Sequence, residues 1–144
     1  MLDHAWIAAH IPHQGSMCLL DVIEFWNEAE IVCRASSHRL ADNPLRTNGI
    51  LGIASGIEYA AQCMAAHGTL LANGDETASV GFLTSVRDVQ WHRMRLDDIE
   101  SDLMVCAERI SGNEVNILYR FGVHAEGITL LSGRASVMLN AEGL

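Results

Sequence analysis

The chain has 144 residues and a mass of 15.7 kDa, with 9 basic against 18 acidic side chains and a formal net charge of -9. Hydrophobic residues make up 49% and charged residues 19%, which excludes intrinsic disorder and leaves enough apolar surface for one domain spanning residues 1–144. Every basic residue is arginine, and an acidic, lysine-free chain is a poor match for non-specific binding to nucleic acid or an anionic membrane.

The N-terminus, Met1-Leu2-Asp3-His4-Ala5-Trp6, carries neither the basic start nor the long apolar stretch of a secretory signal, so the cytoplasm is the expected address. Residues 2–10 read as a short helix capped near Asp3 and ended before Pro12. Residues 17–26 and 31–36 are strand-like runs, with Asn27-Glu28 between them as a hairpin turn. Residues 37–52 are polar and glycine-bearing and read as a loop. An Ala-rich segment, residues 53–72, favours helix because it has no proline and few β-branched residues. After Asn73-Gly74 come four candidate strands, residues 79–92, 102–110, 114–124 and 128–139. Turns are marked by Ser111-Gly112-Asn113 and Glu126-Gly127. A hairpin, one long helix and four strands on short turns predict an α+β domain, its antiparallel sheet packed on one helix.

Cysteine usage adds a limit. Cys18, Cys33, Cys63 and Cys106 lie far apart in apolar runs, which points to buried thiols rather than a zinc site. The longest uncharged run, residues 59–74, contains Gln62, His67 and Asn73 and is too polar to span a bilayer. No phosphate loop, dinucleotide fingerprint or metal-ligand spacing is present, so no cofactor is expected.

The long helix is informative in itself. Ile53, Ala54, Ile57, Ala60, Ala61, Met64, Ala65 and Ala66 leave it almost no polar face, so it is expected to be buried on most sides. A curved antiparallel sheet wrapped around one central helix, the hot-dog arrangement, satisfies that requirement. Glu58 is the helix's only charged residue, and Gln62 lies one turn later on the same face. A carboxylate on a buried helix must be paired, hydrogen-bonded or functional.

Three blocks make the chain resemble the hot-dog 3-hydroxyacyl-acyl-carrier-protein dehydratases of fatty-acid synthesis. Ile11-Pro12-His13-Gln14-Gly15-Ser16-Met17-Cys18-Leu19-Leu20-Asp21 is similar to the family's opening Leu-Pro-His-Arg…Leu-Leu-x-Asp segment. Gly56-Ile57-Glu58-Tyr59-Ala60-Ala61-Gln62 resembles its central-helix stretch, in which a catalytic Glu is followed by a Gln. Phe82-Leu83-Thr84-Ser85-Val86-Arg87-Asp88-Val89-Gln90-Trp91-His92-Arg93 resembles its first long strand after the helix. One departure stands out. The family's His-Phe-Pro-Gly histidine belongs at the position taken here by Pro44, within Ala41-Asp42-Asn43-Pro44-Leu45-Arg46, and the nearest histidine is His38. Ser37-His38-Arg39, Asp42-Asn43-Pro44 and the Glu58 block together resemble a narrower branch, the small dehydratase-like proteins of aryl-polyene clusters. That branch implies one half of a heteromer with a second hot-dog subunit.

The resemblance implies dehydration of a (3R)-hydroxyacyl thioester on an acyl carrier protein to the trans-2-enoyl form. Such a reaction needs a base for the Cα proton, an acid for the leaving hydroxyl and donors for the thioester oxygen. Glu58 is the candidate acid, since a carboxyl buried on an apolar helix holds its proton, as an acid must. Its plain alternative is a first-turn acidic residue stabilising the helix dipole by a few tenths of a kcal/mol, on the order of 0.3–1. His38 is either a displaced base or an ordinary strand-end histidine. Gly52, Ala54, Ser55, Gly56, Gln62 and Phe82 are the expected substrate contacts, with amides at the helix start facing the thioester oxygen. His13 and His67 read as structural, while Phe82, Trp91, Met64 and Met94 serve either an acyl tunnel or the core.

Two other roles share the fold: a catalytically weak subunit that supports a sister enzyme carrying the missing histidine, and a hot-dog acyl thioesterase. Gln62 and the Pro-His opening favour dehydratase over thioesterase. Acyl carrier proteins are acidic, so a uniformly acidic surface would repel one. The charge is uneven, however, with Arg34, Arg39 and Arg46 against Asp42, and Arg87, Arg93 and Arg95 against Asp88. Arg39, Arg46, Arg93 and Arg95 are therefore the expected docking residues for the carrier. A homodimer or heteromer is expected, because a lone hot-dog sheet leaves an open edge and an incomplete pocket.

Overall fold

The computed structural model describes residues 1–12, 15–72, 81–113 and 115–139, and for residues 81, 82 and 139 the backbone alone. A two-residue strand, β1 (Leu2–Asp3), passes directly into helix α1 (His4–His10). Asp3 caps that helix by accepting from the Trp6 N–H at 3.0 Å, and Ile11, the residue before Pro12, is already extended. After a 3-10 turn at Gly15–Met17 comes the hairpin of β2 (Val22–Trp26) and β3 (Glu30–Ala35). Asn27 makes the turn, its side-chain oxygen accepting from the Ala29 and Glu30 amides at 2.8 and 2.9 Å. Two further 3-10 turns, Ser37–Arg39 and Ile53–Ser55, precede helix α2 (Gly56–Leu71). Strands β4 (Gly81–Trp91), β5 (Leu103–Gly112), β6 (Asn116–Ala125) and β7 (Ile128–Leu139) complete the chain.

The seven strands form one antiparallel sheet in the order β1-β2-β3-β5-β6-β7-β4. Side chains alternate across it with period two. Ile31, Cys33 and Ala35 of β3, Leu103, Val105 and Ala107 of β5, and Tyr119, Phe121 and Val123 of β6 are buried toward α2. Arg34, Met104, Cys106, Glu108 and Arg120 occupy the alternate positions on the outer face. This is the hot-dog architecture, and α2 lies on the inner face of the sheet. Tyr59, Ala60, Gln62, Cys63, Met64, Ala66 and His67 of α2 are all buried, as an apolar-all-round helix requires. Burial of each large aliphatic side chain in this core contributes roughly 1.5–3 kcal/mol.

The start of α2 is set by a glycine. A Cβ on Gly56 would stand 2.7 Å from Leu131 Cδ2 and 3.5 Å from Val123 Cγ2, so glycine lets the helix approach the sheet this closely without displacing the Leu131 side chain. Buried His67 secures the other half, donating from Nε2–H to the Asn27 carbonyl (2.8 Å) and accepting at Nδ1 from the Tyr119 hydroxyl (2.7 Å). Burial pushes the imidazole toward its neutral form.

The expected strand over residues 17–26 is shorter than the sequence suggests. Leu19 and Leu20 are buried, but the Leu19 amide bonds to the Gln62 side chain rather than to a strand, and β2 starts only at Val22.

Candidate active site

The segment entering α2 is fastened at several points. Leu96 N–H donates to the Leu51 carbonyl at 2.8 Å, Ile53 N–H to Met94 O at 3.0 Å, and Leu51 N–H to Asp97 Oδ1 at 2.9 Å. Asp97 is also gripped by the Arg95 guanidinium, and that pairing holds its carboxyl down at about 2. The helix start is thus presented by a braced loop.

Of the amides expected to face substrate, those of Ser55 and Gly56 are used within the turn, by Gly52 O (3.0 Å) and Ile53 O respectively. The exposed Ala54 has an amide with no acceptor among the described residues. Gly52 faces open space, with no atom within 4 Å of where a Cβ would stand, which suits a close ligand approach. Gly56 does not share that property, since its missing side chain makes room for Leu131.

Glu58 is half-buried in the first turn of α2, and Gln62 Nε2 donates to its Oε1 at 3.2 Å. Gln62 has no exposed surface. Its Oε1 accepts from the Leu19 amide at 2.9 Å and its Nε2 also donates to Met17 O at 2.6 Å. These backbone partners fix the orientation of the amide and occupy it, and the same Nε2 is held against the Glu58 carboxyl. Gln62 also ties α2 to the segment that follows the Pro-His block. His13 of that block lies outside the described residues. Phe82 of β4 is paired with Met138 of β7, and its side chain lies outside them as well.

A second polar group lies one residue along from Glu58. The buried Tyr59 hydroxyl stands 2.7 Å from Ser37 Oγ and accepts from Asn43 Nδ2 at 3.1 Å. Ser37 Oγ donates onward to Leu19 O at 2.8 Å, so Tyr59 is the donor to Ser37 and every proton in the chain is assigned. Asn43 also donates to Ser37 O (2.9 Å) and accepts from the Leu45 amide (2.9 Å). Asn43-Pro44 therefore fills the place of the family's histidine motif with a loop staple. Burial raises the Tyr59 hydroxyl above its ordinary value, so it is a fixed donor and not a titrating acid.

His38 is completely buried. Its Nε2–H is shared between the carbonyls of Ile99 and Ser101, each at 3.0 Å, while Nδ1 has no partner among the described residues. Burial lowers its tendency to protonate. This is the geometry of a pin joining the Ser37–Arg39 turn to the loop before β5, and it gives a base no open path to substrate.

The four expected docking arginines divide. Arg39 pairs with Asp102 (2.7 Å) and donates to Glu100 O (2.6 Å), and Asp102 is held below the usual carboxylate range mainly by Arg39. Arg95 is paired with Asp97, and Arg46 donates to Gly49 O (2.8 Å) and His38 O (3.1 Å). Arg93 is exposed, donates only to the carbonyl of His92 (3.1 Å) and has no acidic partner among the described residues. Among the described residues no group of three or more His, Cys, Asp or Glu is placed to hold a metal ion, and no helix is long and apolar enough to cross a membrane.

Solved structures share this architecture. The chain is similar to a chain of the dehydratase heterocomplex ApeI:P from Xenorhabdus doucetiae, with a TM-score of 0.78 at 18% identity over 94% of this chain and 91% of that one. It also resembles a thioesterase from Pseudomonas aeruginosa (TM-score 0.68, 12% identity, 95% and 93% covered) and one from Haemophilus influenzae (0.64, 12%, 95% and 84%). No curated protein matches the sequence. Residues 5–142 match the ApeP-like family, described as ApeP dehydratase, and the chain belongs to that family of hot-dog dehydratases.

Proposed function

We propose that the chain takes part in dehydrating a (3R)-hydroxyacyl thioester on an acyl carrier protein, as one subunit of a hot-dog heteromer in aryl-polyene or fatty-acid-type synthesis. The observation that carries this reading is Glu58, half-buried in the first turn of α2 and oriented by Gln62, close in sequence to the open Gly52 and the unengaged Ala54 amide. In the reaction a base takes the Cα proton, the C–O bond to the 3-hydroxyl breaks, and the hydroxyl leaves as water with a proton from Glu58. The Ala54 N–H is suited to stabilise the charge that develops on the thioester oxygen. His38 is a positioning residue in this scheme, and the base comes from the other subunit.

The heteromer part has two supports. β4 is an 11-residue strand at the end of the sheet, with Leu83 and Trp91 exposed, and a long open edge of this kind favours pairing with another chain. The similar chain from Xenorhabdus doucetiae belongs to a dehydratase heterocomplex. The reading keeps the cytoplasmic address expected from the sequence.

A second reading, a supporting subunit without turnover of its own, is favoured by one observation. Asn43-Pro44 and the buried His38 leave the expected histidine position without an imidazole. The test is an assay of water loss from a carrier-bound 3-hydroxyacyl chain, by the purified protein alone and with a hot-dog partner. Glu58→Gln should abolish the activity of the mixture while leaving the fold intact. Full activity of that mixture would assign this chain the supporting role, and release of free carrier thiol in place of water would assign it to thioester hydrolysis.

A further inference from the structure

The outer face of the sheet, away from α2, carries a charged row that the dehydratase reading does not use. Strand register places Arg120 of β6 opposite Arg134 of β7, and Arg134 opposite Arg87 of β4. Like charges directly opposite one another destabilise a sheet, so such a row needs counter-charge. Glu108, the partner of Arg120 across β5, takes that guanidinium at 2.8 Å. Arg134 is taken by Asp88, with Nε to Oδ2 at 2.8 Å. Asp88 reaches it from a bulge in β4 where its own φ is +54°, an unfavourable conformation for a non-glycine residue. The third member, Arg87, is exposed and has no acidic partner among the described residues.

Arg87 borders a groove of about 620 Å³ that also takes in Ser85, Ser111, Asn113, Asn116 and Ser136. No described carboxylate lines it, on a chain with twice as many acidic as basic side chains. The Ser85, Ser111 and Ser136 hydroxyls make no hydrogen bond to the described residues and remain available as donors. The far wall is preorganised. Asn113 Oδ1 accepts from the Val115 and Asn116 amides at 2.7 and 2.9 Å, and Gly112 lies where a Cβ would strike Asn116 O at 2.8 Å. One unpaired guanidinium with several neutral donors matches a compact oxyanion with several acceptor oxygens.

We propose that this groove binds the phosphate group of a small phosphorylated molecule, with Arg87 as its principal ligand. The proposal is independent of the dehydratase reading. It is tested on the full chain by following arginine Nε–H and backbone amide signals in ¹⁵N spectra during titration with phenyl phosphate, with acetate and chloride at matched ionic strength as controls. Saturable shifts at Arg87, Ser85, Ser111 and Asn116 are expected with phenyl phosphate alone. Arg87→Gln should weaken binding at least 10-fold without lowering the unfolding temperature, since the side chain is exposed and opposite another arginine, while Arg93→Gln should leave binding unchanged. Equal shifts with acetate or chloride, or equal affinity in Arg87→Gln, would overturn the assignment.

Discussion

Gln62→Leu separates a positioning role from a substrate-binding one. The substitution nearly conserves volume and removes three hydrogen bonds: the acceptor for the Leu19 amide (2.9 Å), the donor to Met17 O (2.6 Å) and the donor to Glu58 (3.2 Å). Leu19 is 1% exposed, so its orphaned N–H bears the desolvation penalty of an unsatisfied buried group, about 1–3 kcal/mol. Met17 is only half-buried, and water can replace its lost partner at smaller cost. The sum is roughly 2–4 kcal/mol, which for a chain of this size lowers Tm by approximately 6–16 °C. Urea unfolding measures the loss, and hydrogen exchange at the Leu19 amide localises it. A change below about 0.5 kcal/mol, the range of an ordinary surface substitution, with unaltered exchange at Leu19 would refute the positioning role. A raised KM with unchanged stability would restore Gln62 to the substrate contacts.

Gly56→Ala should destabilise by about 1–3 kcal/mol, because the new Cβ overlaps Leu131 Cδ2 in a packed core; chemical denaturation measures it, and a neutral result would show that Leu131 can yield. His38, His67 and His124 all have depressed folded values caused first by burial. The neutral form is therefore favoured by folding, and the stability it contributes is present above the unfolded value of about 6.5 and lost as pH falls from there through the folded values. Unfolding free energy measured between pH 7.5 and 5 should fall with pH, less steeply in His67→Phe; a flat profile in the parent protein contradicts this. On the carrier-dependent reading, Arg93→Glu should raise KM for the carrier with little effect on stability. Arg39→Glu should instead destabilise by placing a carboxylate against Asp102, and the reverse pattern would place docking on Arg39.

The fold was legible where a signal is local. An apolar-all-round helix can only be central, and the turn residues around the later strands mark a meander. Glu58 and Gln62 were found together because i and i+4 share a helix face. Their division of labour was not legible, since Gln62 is fixed by backbone groups 43 and 45 residues away. For His38 the sequence leaves a displaced base and a strand-end histidine both open, because the residues that bury it, 99–101, are 61 to 63 positions away. Counting charge along the chain cannot show that Arg39 is paired, for the same reason, as its partner Asp102 is 63 residues away. Two-residue β1 carries too short a pattern to be read at all, and the Leu19–Leu20 run imitates a strand while its backbone serves Gln62.

The polar groups around Glu58 bear on how the proposed reaction can be divided between two chains. A base that takes the Cα proton needs a proton-accepting atom open to substrate, which in the resembled family is an imidazole nitrogen. The position where the family keeps that histidine is taken here by Pro44, and the preceding Asn43 has its side chain occupied by Ser37 O, Tyr59 and the Leu45 amide. Tyr59 cannot substitute, because burial raises its hydroxyl further from physiological pH and its proton is committed to Ser37. The loop is held rigid by groups that do not titrate near neutrality, whereas Glu58 is kept half-buried and oriented. An arrangement that stabilises the loop and retains the carboxylate is what a subunit needs if it supplies an acid and a shaped entrance to a site completed by another chain. It follows that placing an imidazole beside that position by Asn43→His would remove the staple on Tyr59 and Ser37 and should lower stability without yielding an independent dehydratase. Measurable turnover by that variant in the absence of any partner would show that the missing histidine alone limits this chain.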